Sequence, residues 1–171
     1  MATMVVFRCT QKLRRRMGHA ARTETPAAKS SGRLGDWYAN AVSVHRRHVV
    51  LAVSGVTLVP VLVEAAPYKT MTSRFVAATG EVLRALGVPD ANVAVELDAM
   101  RELVMTTTNN RRVLGSMTDF ANMLEAYLDD RSLTEVALHL ADSPCSPLGM
   151  KSPRDATLEI FSTPTLRLVK D

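Results

Sequence analysis

The sequence predicts an α+β domain: a small antiparallel sheet, built from an amino-terminal strand and a three-stranded meander, covered by a carboxy-terminal group of helices. Two observations carry this reading. Up to Val63, short β-branched runs alternate with turn formers, whereas from Thr72 onward apolar residues recur at three- and four-residue spacing. A chain of 171 residues, 47% hydrophobic and 22% charged, is also long enough to build one core without disulfide or metal staples.

Met4 to Cys9 is apolar and β-branched enough for a first strand. Thr10 can cap a short helix, Gln11 to Met17, that Gly18 ends. Leu13 and Met17, four residues apart, share its buried face, and Lys12, Arg14, Arg15 and Arg16 spread over the rest. Residues 18–35 are small and polar without hydrophobic period and read as a flexible loop. Asp36 to Val44 and Val49 to Val53 follow as strands joined by His45-Arg46-Arg47-His48, and Ser54-Gly55 leads into a third, Val56 to Val63. In the strand Asp36 to Val44, Trp37 and Tyr38 point to opposite faces, with Trp37 assigned to the core and Tyr38 free to stack on a partner.

Phe75, Val76, Val82, Leu83 and Leu86 form the apolar stripe of a helix closed by Gly87 and Pro89. Val93, Leu97, Met100 and Val104 do the same for a second helix, from about Asp90 to Val104. Two capping-box patterns, Ser116 with Asp119 and Ser132 with Glu135, mark two further helix starts. Residues 1–142 therefore read as a single domain. Residues 143–171, with Pro144, Pro147, Gly149 and Pro153, read as an extended or loosely packed tail.

The longest apolar run, Val49 to Val63, is broken by Ser54, Gly55 and Pro60, and falls short of the roughly 20 residues a membrane helix needs. The basic cluster at Lys12 to Arg16 is not followed by the apolar stretch of a secretory signal, and Cys9 and Cys145 stand outside any zinc spacing. These features point to a cytoplasmic chain with free thiols, no membrane partner, no metal and no cofactor. Residues 1–35 are rich in Arg and Ser with a single acid, Glu24, a composition shared with organellar transit peptides. Charge is divided unevenly: residues 1–50 carry ten Lys/Arg against two Asp/Glu, and the remainder eleven against fifteen. A basic arm beside an acidic body suits an anionic partner such as nucleic acid, or a partner subunit with an acidic face, and equally a plain solvated surface.

Four segments, Phe7 to Leu13, Arg33 to Asn40, Asn110-Arg111 with Val113 to Phe120, and Pro144 to Gly149, resemble a bacterial family of small uncharacterised proteins, a domain of unknown function sometimes found near mobile-element genes. The resemblance implies that the amino-terminal strand and helix belong to the domain, which counts against a transit peptide. It implies no catalytic residue and no cofactor.

Three constellations are candidates for chemistry. Cys9 and Arg15 have the C-x5-R spacing of cysteine phosphatases, but the intervening residues contain no glycine to wrap amides around phosphate, so a packed, inert thiol is the favoured reading. Thr106 to Arg112, followed by Gly115 and Ser116, offers arginines beside a helix start, the arrangement of an anion site, against a plain turn with a cap. His45 and His48 lack a third metal ligand and read as an exposed basic turn. Lys12, Arg14, Arg15, Arg16, Arg46, Arg47, Asn110, Arg111 and Ser116 are thus the candidate anion- or nucleic-acid-binding residues of a non-enzymatic binding protein whose basic surface engages nucleic acid or a regulatory partner. The rivals are an enzyme of phosphorylated or nucleotide substrates using Cys9, Arg15, Asn110, Arg111 and Asp119, and a protein-interaction module.

Overall fold

The computed structural model describes residues 3–18, 23–26 and 29–164. Within them the chain runs β1 (Val5–Cys9), α1 (Gln11–Met17), β2 (Trp37–Val44), β3 (Arg47–Ser54), β4 (Pro60–Glu64), α2 (Met71–Leu86), α3 (Asp90–Ala99), β5 (Leu103–Thr107), α4 (Arg111–Tyr127), α5 (Leu133–Ala141) and α6 (Pro153–Ser162). The fold is α+β, with a five-stranded sheet in the order β4-β3-β2-β1-β5.

Strands β2, β3 and β4 form the antiparallel meander expected from the sequence. The rest of the sheet departs from an all-antiparallel arrangement. Strand β1 lies between β2 and β5 and runs parallel to both. The reason is α1: Thr10 accepts the Leu13 amide and starts the helix directly after β1, so the chain recrosses before β2 and enters it in the same direction. The stretch assigned to the end of the second helix is β5, because Ala99 closes α3 and Leu103 to Thr107 pair with Val5 to Cys9 along the open edge of β1. That edge is a tertiary feature invisible to local periodicity.

The sheet is covered on both faces. Phe7 and Trp37, register partners on β1 and β2, both reach Phe75 of α2, with ring centroids 5.0 and 5.1 Å away. Tyr38 points to the opposite face. It is buried, not free to stack, and its hydroxyl donates to Oδ1 of Asn109 at 2.6 Å. Helix α4 lies on β2 and β3, and α2 and α5 both pack on β4.

Several local expectations change for physical reasons. The β2–β3 turn is two residues, His45 and Arg46, at φ 48° and 66°, so Arg47 and His48 belong to β3. The third meander strand begins at Pro60, because the Ser54 hydroxyl accepts the amides of Val56 and Thr57 and folds residues 55–58 into a turn. The segment expected to be loosely packed contains α6, capped by Ser152 with Pro153 in the first turn, and it buries Thr157 and Phe161. In the loop at 18–35, residues 19–22 and 27–28 lie outside the described residues, as do residues 165–171 of the tail. The remainder of that loop is tied down: Ser30 and Ser31 accept the amides of Val6 and Met4.

Candidate functional site

A concavity lies between the amino-terminal half of α4 and the turn at 143–150. It holds about 600 Å³. One wall is a stripe of α4 at helical spacing, Arg112, Gly115 with Ser116, Asp119 and Met123, with Arg111 at the rim. The other is a turn closed on itself: Cys145 donates its amide to Lys151 O, and its carbonyl accepts the amides of Leu148 and Met150. Gly149 and Met150 both adopt the left-handed conformation, at φ 62° and 69°. That geometry is strained for methionine, yet Met150 is 63% exposed at the mouth of the cleft.

Three of the sequence candidates line this cleft, Arg111, Ser116 and Asp119. Their structural setting corrects the expectation of a helix start at Ser116. Helix α4 begins six residues earlier in the chain than that cap would require: Asn110 is its N-cap, and its Oδ1 accepts the amides of Arg112 at 3.0 Å and Val113 at 3.3 Å. The apolar stripe Val113, Met117, Phe120, Leu124 buries one continuous face, which carries the helix through Gly115. Ser116 is therefore interior to the helix, 7% exposed, and its hydroxyl makes no hydrogen bond among the described residues. Arg111 is exposed and has no ionic or hydrogen-bonding partner among them, while Arg112 donates to Pro147 O at 3.5 Å. Ser132, by contrast, forms the expected capping box with Glu135.

The negative end of the cleft is Asp119. Burial pushes the Cys145 thiol above its ordinary value, and the nearby Asp119 carboxylate pushes it further in the same direction. A thiol so placed stays protonated, and it donates to Ser143 O at 3.5 Å.

The other basic candidates gather elsewhere. Arg16 donates toward Ser43 Oγ at 3.4 Å and His48 Nδ1 at 3.2 Å, which joins α1 to the β2–β3 hairpin. Lys12, Arg15 and Arg46 are exposed on this surface, Arg47 is paired with Glu64, and Arg14 is half-buried with its Nε unpartnered among the described residues. His45 meets the carbonyl of Glu125 instead of His48, so the two histidines do not share a ligand. Cys9 is buried, and desolvation raises its thiol to about 12 against a small opposing pull from Arg14. A phosphatase nucleophile needs the opposite shift.

Sequence reasoning passed over a second polar centre. Asp36 accepts from Arg8 Nε and from the Ser30 hydroxyl, each at 2.7 Å, and Arg8 also donates to Thr107 O at 3.0 Å. This half-buried network fastens β1, β5 and the approach to β2 together. The alternation of Arg8 between the buried Phe7 and Cys9 was the only available sign, since a charge there must find a partner.

The fold and cleft define an α+β domain with a mixed five-stranded sheet and a cationic rim on one helix. The chain belongs to the family described as Domain of unknown function (DUF6933), whose model matches residues 6–156. Neither the curated proteins nor the solved structures compared with it give a match. Among the described residues no helix is long and apolar enough to cross a membrane.

Proposed function

We propose that the protein is a non-catalytic binding domain that receives an anionic group of its ligand in the cleft between α4 and the 143–150 turn. The observation that carries this reading is Arg111, an exposed guanidinium without a partner among the described residues, beside Arg112 and the unpaired Ser116 hydroxyl. A planar guanidinium offers paired donors suited to carboxylate or phosphate, and the start of a helix favours negative charge. The test is calorimetric titration with N-acetyl-leucine and O-phosphoserine, comparing the native protein with Arg111→Ala. Loss of the arginine should weaken binding about tenfold, roughly 1.4 kcal/mol, without moving Tm. Equal binding by both proteins would remove the cleft from consideration.

A second reading, nucleic-acid binding, is favoured by the bridge from Arg16 to Ser43 and His48, which joins the basic residues of α1 to those of the hairpin. Affinity for DNA or RNA would then fall steeply with salt as counterions are released. Gel-shift titrations at two salt concentrations separate the readings, since Arg15→Ala and Arg46→Ala would weaken nucleic-acid binding and leave N-acetyl-leucine untouched.

A further inference from the structure

Resting on the anion-site reading, we infer that the cleft takes a zwitterionic ligand of short-peptide type, its carboxylate at Arg111 and Arg112, its ammonium at Asp119, and its backbone lying over Gly115. Both charged ends of the cleft stand on one helix face. Arg112 and Asp119 are seven residues apart, a separation of about 10 Å at 1.5 Å per residue. Three extended peptide residues span about the same distance. The two charges do not satisfy each other, for no ion pair joins Asp119 to either arginine among the described residues. A carboxylate at the amino-terminal end of α4 also agrees with the helix dipole.

Gly115 supplies an independent indication. It sits in the interior of a helix, where glycine is less stable than alanine. Nothing in the fold requires it: its φ is not in the left-handed region, and a Cβ built there meets no atom within 4 Å. The space that side chain would fill is the cleft itself. Directly beside it, Ser116 is more than nine-tenths buried and presents an unpaired hydroxyl to the same space, a ready partner for a peptide amide or carbonyl. Phe120, Met123 and the exposed Met150 surround this middle portion and suit an apolar central side chain.

The probe is alanyl-leucyl-alanine, titrated calorimetrically as the free peptide, as its N-acetyl form and as its C-terminal amide. The free peptide should bind, and either block should weaken binding about tenfold, the loss of one charge-assisted contact. Asp119→Asn should weaken the free peptide but leave the N-acetyl form unchanged. Gly115→Ala should raise Tm by about 1–4 °C while weakening the peptide. The gain in Tm shows that the variant is folded, so its loss of affinity reads the site alone. Binding of the acetylated peptide as tight as that of the free one, or no binding of the free peptide at millimolar concentration, overturns the zwitterion. Retained, Arg111-dependent binding of N-acetyl-leucine would then leave the anion site standing. Gly115→Ala that stabilises the fold without weakening the peptide overturns the close approach at Gly115.

Discussion

Glu96 and Gly32 stand so close that a Cβ built on the glycine would lie 2.3 Å from Oε1 of the glutamate. The contact exists because the carboxylate, buried on α3, accepts the amides of Arg33 at 2.9 Å and Leu34 at 3.1 Å. It thereby fixes the segment that leads into β2. Arg33 extends the link to α6, donating to Ile160 O and lying over the Phe161 ring at 5.8 Å.

Glu96→Ala should cost about 1–3 kcal/mol, the penalty for leaving buried amides without an acceptor. Gly32→Ala should destabilise through the same contact, because the carboxylate must move to admit the methyl group. In the Glu96→Ala background the Gly32 substitution should cost far less. Urea denaturation of the two single variants and the double variant measures this coupling, and additive effects would show that the two residues act independently.

The same carboxylate gives stability a pH dependence of defined sign. Burial raises Glu96 above its ordinary 4.5, against smaller lowering effects of the Leu34 and Arg33 amides and the Arg33 charge. A raised value means that the protonated form is favoured by folding, so its contribution is fully present below 4.5 and declines as pH rises through the folded-state value. Measured against Glu96→Gln, which does not titrate, the native protein should lose relative stability as pH rises from 4.5 toward neutrality. A relative gain over that interval would contradict the assignment.

Three polar residues on α4 and α5 separate cap from interior. Asn110→Ala and Ser132→Ala should each cost about 1 kcal/mol, since each removes the oxygen that accepts first-turn amides. Ser116→Ala should stay within about 0.5 kcal/mol, because no cap and no hydrogen bond is lost. Thermal denaturation distinguishes the outcomes. A full cap-sized loss at Ser116 would mean that α4 starts there after all.

With its thiol raised to about 12, Cys9 should carry about a thousandth of the thiolate that it would at its ordinary 9.0 when both are compared near pH 8. Native protein should therefore alkylate very slowly at Cys9 with iodoacetamide, and unfolding in urea should release the reaction. Rapid labelling of Cys9 in the folded protein, followed by mass spectrometry, would restore it as a candidate nucleophile.

Local physics in the sequence determined the elements that local physics can hold. Thr10, Gly18 and the Leu13–Met17 pair bounded and oriented α1, the valine-rich runs with their turn residues specified the meander, and Ser132 with Glu135 marked the start of α5. Arg111 and Ser116 were legible as candidate residues because arginines beside a helix cap are a local pattern. Tertiary structure decided the remainder. Whether Leu103 to Thr107 is helix or strand depends on the unpaired edge of β1, nearly a hundred residues away in sequence. Whether Ser116 caps a helix or faces a cleft depends on the sheet that buries Val113, Met117 and Phe120 and carries α4 past Gly115. The cleft itself forms only where the 143–150 turn folds back on α4, and Glu96 finds its amides 62 and 63 residues upstream. Hydrophobic period and capping act within a few residues, whereas strand edges, cavities and buried carboxylates are completed by partners that only the folded chain brings together.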